Sequence, residues 1–134
     1  MTSDIPAGFE VWNPTSLFMQ HLMQVGQIYR NETGSAFGLR IDKGHGNVHS
    51  VAHGGLLATL VDSVFGNYLA QECQTAVVTV NLSLDYMNAT KMGDWIEAHV
   101  TIDKRGRRLI YASCTVHNSE KTLVKASGVF AVQG

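Results

Sequence analysis

Between Ala52 and Glu72 the chain reads AHGGLLATLVDSVFGNYLAQE, and this run limits the fold more than any other stretch. Leu56, Leu57, Leu60, Val61, Val64, Phe65, Tyr68 and Leu69 recur at helical spacing and spread around much of the circumference. Such a helix must be wrapped. Only Asp62 places a charge in its middle. Ionised carboxylates are seldom buried without a partner or a task, so the same stretch sets the centre of the fold and marks a functional candidate.

The rest of the chain supplies the wrapping. Residues 1–13 read as irregular. Asn13-Pro14 suits a helix start, with Leu17, Phe18, His21, Leu22 and Val25 on its apolar stripe and Gly26 at its end. Strands are expected at Gln27–Arg30 and Ser35–Ile41 around a turn at Asn31–Gly34, and a loop from Lys43 to Val51. Four strands follow the long helix. In Ala76–Tyr86, strict alternation puts Val78, Val80, Leu82, Leu84 and Tyr86 on one face and Thr79, Asn81, Ser83 and Asp85 on the other. Trp95–Ile102, Leu109–His117 and Leu123–Val132 continue through short connections, which favour an antiparallel meander. The pattern predicts an α+β fold, a curved antiparallel sheet around one helix. A single sheet covers one side of that helix, so a second subunit is the natural cover for the rest.

At 134 residues, 45% hydrophobic and 16% charged, the chain is the size and composition of one globular domain spanning 1–134. A net charge of −1 offers no field to draw nucleic acid or an anionic membrane. Four of the ten cations crowd into Lys104-Arg105-Gly106-Arg107-Arg108. Cys73 and Cys114 have no metal-type spacing, and neither a signal-like start nor a membrane-length apolar run is present. A cytoplasmic protein with reduced thiols is the expectation.

Gly54 and Gly55 fall in the first helical turn, where backbone N–H groups have no intrahelical acceptor and the dipole favours a developing anion. Asp62 follows Gly55 by seven residues, on the same face but roughly 10 Å along the axis. That is too far for both to act on one bond within one chain. If both are catalytic, they come from different subunits, with two antiparallel copies of the helix bringing each Gly54-Gly55 near the other's Asp62.

Asn47, His53-Gly54-Gly55 and Leu60-Val61-Asp62 together resemble the hotdog-fold acyl-CoA thioesterases, in the branch of the phenylacetate-pathway thioesterases and thioesterase superfamily member 2. The similarity continues through Val78-Thr79-Val80-Asn81, Tyr86-Met87, Lys91-Met92-Gly93-Asp94 and Arg105-Gly106-Arg107-Arg108. It implies a helix wrapped by an antiparallel sheet, dimers and often tetramers, and acyl-CoA bound between subunits. It implies that Asp62 activates water or attacks the thioester, and that Gly54 N–H polarises the carbonyl. Asn47 and His53 match polar groups near the thioester and the helix start, and Thr79 supplies a hydroxyl that helps hold the water. Gly55, Val51 and Ser63 become substrate-binding candidates, with Leu57 and Phe65 near the acyl chain. Arg105, Arg107 and Arg108 become candidates to grip CoA phosphates. Coenzyme A enters as part of the substrate, and no other cofactor or metal is expected. Ser50 stands where the pattern has glycine, and Ala89 where it has proline.

Competing readings are a hotdog hydratase, for which no Asp and His pair has the right spacing, and a non-catalytic acyl-CoA or acyl-carrier binding module. Asp42 is a rival acid without the apolar setting of Asp62. His45, His49 and His53 recur every four residues, but Gly44 and Gly46 argue against a metal-binding helix. His21 and His117 read as surface or helix-face residues rather than ligands, His99 as a solvated or groove-facing strand residue, and Trp12 and Trp95 as packing residues more than pocket-lining ones.

Overall fold

The computed structural model describes residues 5–133; the reading of residues 1–4 as irregular, and residue 134, lie outside the described residues. Its elements are β1 (Phe9–Val11), α1 (Leu17–Leu22), β2 (Ile28–Asn31), β3 (Ala36–Arg40), α2 (Gly54–Cys73), β4 (Val77–Tyr86), β5 (Trp95–Arg105), β6 (Leu109–His117) and β7 (Thr122–Val132). A short helical turn at Lys43–His45 precedes α2. The strands form one antiparallel sheet of seven, in the order β1-β2-β3-β5-β6-β7-β4. Helix α2 lies against one face and touches β3 through β7.

The sheet departs from a simple meander. β5, β6 and β7 are consecutive neighbours, but β4 pairs with β7 and ends at the sheet's edge. The first strand after the helix therefore keeps one backbone edge free of sheet partners among the described residues. β1, within the stretch read as irregular, adds a short strand beside β2.

Leu57, Leu60, Val61, Val64, Phe65 and Leu69 of α2 are all buried within the one chain, while Leu56 and Tyr68 stay partly open. Each fully buried side chain of this type contributes about 1.5–3 kcal/mol. One sheet thus covers more of the helix than its circumference suggested. The helix begins at Gly54 rather than Ala52, with His53 as its N-cap, and ends at Gln74 in a left-handed conformation.

Helix α1 starts at Leu17, later than Asn13-Pro14 indicated, because the Ser16 hydroxyl accepts the Met19 N–H and forms the cap. Met19 is its buried residue, and Leu17 and Phe18 are exposed. Trp12 packs on Phe37, and Trp95 on Phe9 and Tyr29, so both tryptophans are packing residues as read.

β4 contains the departure with the largest chemical consequence. Its register against β7 runs Thr79↔Phe130 and then Asn81↔Val129, so Val80 is an extra, bulged residue. The bulge inverts the alternation on one side. Val77, Thr79, Leu82, Leu84 and Tyr86 pair with Val132, Phe130, Gly128, Ala126 and Val124 on the helix-facing side. Val78 and Val80, expected with Leu82, are instead exposed.

Candidate active site

Thr79, turned inward by the bulge, donates its hydroxyl to Asp62 Oδ1 at 2.8 Å. The carboxylate is half-buried in the middle of α2, at the floor of an open groove lined by Phe18, Met19, Ala58, Thr59, Ser63, Thr79 and Leu82. The Ser63 hydroxyl lies 3.3 Å from Met19 Sδ, which ties α1 to this groove. Three of the residues singled out in the sequence, Asp62, Ser63 and Thr79, therefore meet here.

The start of α2 forms a second groove, lined by Val51, Ala52, Gly54, Leu57, Tyr86, Met87, Asn88, Ala89 and Thr90. The two grooves have no residue in common. His53 Nδ1 accepts the Gly55 N–H at 2.9 Å, so one of the two expected free donors is already engaged. The Gly54 N–H has no acceptor among the described residues, and it alone remains for an oxyanion. Tyr86 donates its hydroxyl to the Gly54 carbonyl at 2.8 Å, and its ring lies 3.4 Å from where a Cβ on Gly54 would stand. Tyr86, part of the family similarity in the sequence, was given no site role there. Its place at the inward phase at the end of β4 was the available signal.

Asn47 organises the loop ahead of the helix. Its Oδ1 accepts the His49 N–H at 2.8 Å, and its backbone N–H donates to the Val51 carbonyl. Val51 also bridges to Lys91. Ser50 takes φ +62, the left-handed region that favours glycine, which explains why glycine fits the related pattern there. Asp42 is no rival acid: its carboxylate accepts the Gly44 N–H and caps the short turn, while the Asp42 N–H donates to His45 Nδ1. His45 is buried against Gly26, where any Cβ would collide with the imidazole at 2.5 Å. Burial lowers the His45 pKa below its ordinary value, with the Asp42 carboxylate and backbone opposing. His45, His49 and His53 do not gather into a metal-type cluster.

The three arginines stand apart from both grooves. Arg105 donates to the Glu72 carbonyl at 3.2 Å, at the C-terminal end of α2. Arg107 and Arg108 are exposed in the β5–β6 turn. Ten residues of helix separate Asp62 from Glu72, about 15 Å. Cys114 is buried, and its thiol is pushed up to about 12 by burial, while Cys73 is half-buried; both are free. No helix among the described residues is long and apolar enough to cross a membrane.

Residues 49–125 match the model of the thioesterase superfamily. A Pseudomonas aeruginosa protein named as an esterase is 45% identical over 94 residues, 69% of this chain and 70% of that one. Mouse acyl-coenzyme A thioesterase 13 is 33% identical over 97 residues, 72% of this chain and 65% of the mouse protein. Among solved structures, a Streptococcus mutans protein bound to acetyl-CoA superposes with a TM-score of 0.70 at 25% identity, covering 74% of this chain and 80% of that one. The matched span holds His53, Gly54, Asp62 and Thr79, and over it this chain lays one long helix on an antiparallel sheet. The chain belongs to the thioesterase superfamily and has its hotdog fold.

Proposed function

We infer that this thioester hydrolase acts on acyl-CoA at a site split between two copies of the chain, with Asp62 of one facing the Gly54 turn of the other. The observation that carries the reading is the separation of carboxylate and free N–H into two grooves. The edge strand β4 suggests how a second copy joins them, because Thr79 beside Asp62 and Tyr86 beside Gly54 lie near its two ends. Antiparallel pairing of two β4 edges centred on Ser83 sets Leu82 opposite Leu84 and Asn81 opposite Asp85. With Val80 bulged, Thr79 then faces the partner's Tyr86, and every opposed pair points to the same side of the sheet. Such a pairing satisfies the open backbone edge of β4.

In this arrangement Asp62 takes a proton from water, and the resulting hydroxide attacks the thioester carbonyl. The carbonyl oxygen, now anionic, accepts the partner's Gly54 N–H. The intermediate then collapses, the C–S bond breaks, and the thiolate of CoA takes the proton back from Asp62. Thr79 holds Oδ1 and leaves Oδ2 for the water. Tyr86 fixes the carbonyl of Gly54 and so the direction of its N–H. His53 caps the helix, and Asn47 shapes the loop that delivers it. Val51 and Leu57 line the groove on the Gly54 side, Ser63 that on the Asp62 side, and Arg105, Arg107 and Arg108 are the candidates for CoA phosphates. Water is the only co-reactant, so no cofactor beyond the CoA of the substrate is part of the proposal. A tetramer made of two such dimers and a cytosolic location complete it, the latter supported by two free thiols.

The test is thiol release from a panel of aliphatic and aromatic acyl-CoAs, comparing the native protein with Asp62→Asn. A loss of kcat of about 100-fold or more is expected. An unchanged rate on every substrate overturns the role of Asp62, and binding of acyl-CoA without cleavage by the native protein would make the chain a binding module.

A further inference from the structure

The outer face of the sheet, opposite α2, carries a second group of chemically active side chains. On β5, the buried Ile96, Ala98 and Val100 alternate with Trp95, Glu97 and His99, which point away from the core. In the β5–β6 register Glu97 is opposite His117, and His99 is the next residue on the same face. The imidazoles of His99 and His117 stack at 5.0 Å with planes 16° apart, and His99 Nε2 lies 2.9 Å from Glu97 Oε1. One nitrogen or oxygen from each of the three side chains falls within 4.8 Å of the others.

Two neighbours orient the group for a ligand. Trp95 Nε1 donates to Glu97 Oε2 at 2.7 Å, which leaves Oε1 on the side of the histidines. His117 Nδ1 lies 3.2 Å from the Asn118 carbonyl. A carbonyl only accepts, so Nδ1 carries the proton and Nε2 presents a lone pair. Hydrogen-bonded carboxylate and imidazole ligands of this kind are the usual support for a bound metal. Neutral imidazole with one carboxylate suits zinc-type ions rather than magnesium or calcium, which prefer oxygen.

We propose that Glu97, His99 and His117 form a three-ligand site for a divalent transition-metal ion of the zinc type, with its fourth position open to solvent. Bonds of about 2.0–2.2 Å place neighbouring tetrahedral ligands roughly 3.3–3.6 Å apart, so His99 Nε2 and Glu97 Oε1 part slightly from 2.9 Å and the His117 nitrogen adjusts to the same spacing. The ion takes the place of the proton between His99 Nε2 and Glu97, and that proton moves to His99 Nδ1. The site joins β5 to β6 across the sheet from Asp62. It therefore stabilises the sheet and leaves thioester hydrolysis unchanged.

The experiment uses untagged, chelator-treated full chain titrated with ZnCl2 alone, by calorimetry and thermal unfolding, with CoCl2 as a spectroscopic probe. One ion per chain, a rise of a few degrees in Tm and nitrogen-ligand cobalt bands are expected. His99→Asn, His117→Asn and Glu97→Gln should each weaken binding by about tenfold or more without lowering the thiol-release rate. In the native protein, the His99 and His117 imidazole resonances should shift with zinc, and those of His49 and His53 should not. Failure to bind at millimolar zinc overturns the site. So does binding that persists in all three variants, or resonance shifts confined to other histidines.

Discussion

Asp62 is held by a hydroxyl, with no cation paired to it among the described residues, and this suits a group that must exchange protons with water. Removing only that hydroxyl, as Thr79→Val does, should lower kcat/KM by about 10- to 100-fold, the worth of one hydrogen bond to a charged group, while Thr79→Ser retains most activity. Steady-state thiol release on one good substrate checks both. Ser50 carries a backbone cost, because a left-handed conformation at a residue with a Cβ is unfavourable by about 1–2 kcal/mol. Ser50→Gly recovers part of it, less the greater entropy of the unfolded chain, and a rise of a few degrees in Tm is expected. His45 gives stability a pH dependence. Its folded pKa is depressed, so below roughly pH 6.5 the unfolded chain takes up the proton more readily. This contribution is complete above that pH and is lost as the pH falls, and His45→Asn should flatten that part of a Tm-versus-pH curve between pH 8 and 5. At this scale Asp62 and Gly54 stood out in the sequence by chemistry and spacing, and Thr79 only through the family resemblance. The role of Tyr86 was not legible, because a tyrosine at a strand end reads the same whether it fills a core or anchors a turn.

The elements were legible wherever periodicity carried them. The long helix, the β5-β6-β7 meander and the β2–β3 hairpin all follow from apolar spacing and turn residues. What alternation could not reveal was the bulge at Val80, since an extra residue leaves the pattern of valines and leucines looking regular on paper. Strict alternation sets Thr79 on the solvent side, away from the acid it was expected to serve. The structure removes that conflict by spending one residue out of register. Deleting Val80 should therefore restore the ladder, disturb the inward pointing of Thr79 and lower kcat by more than Thr79→Val does, with far-ultraviolet circular dichroism confirming the fold. Nor could spacing place β4 at the edge, because order within a sheet depends on which strands bury their faces together and not on chain order. The basic turn shows a similar limit. A cluster of arginines suggested phosphate, but nothing in its spacing could show that Arg105 also reaches the last turn of α2.

At the scale of the molecule, the proposed pairing of two β4 edges would make the two grooves one site. A single chain has the carboxylate in one groove and the free N–H in another, and only assembly would unite them. Complementation between two inactive variants tests the shared site in the intact dimer. Gly54→Pro removes the N–H at the first helical position, where proline is well tolerated, and His53 already has the extended ψ of 133° that a following proline requires. Asp62→Asn removes the acid. Each variant alone should be nearly inactive, because every site in either homodimer lacks one group. When the two are unfolded together, mixed in equal amounts and refolded, half the dimers are hybrids, and each hybrid holds one site with the native aspartate and the native N–H. Activity should then recover to about a quarter of that of the native protein, as two-fold symmetry dictates. If the mixture stays as inactive as its parents while size-exclusion profiles and differently tagged chains show that hybrids form, then Asp62 and Gly54 do not act across the interface, and the spacing that first separated them along the helix has another explanation.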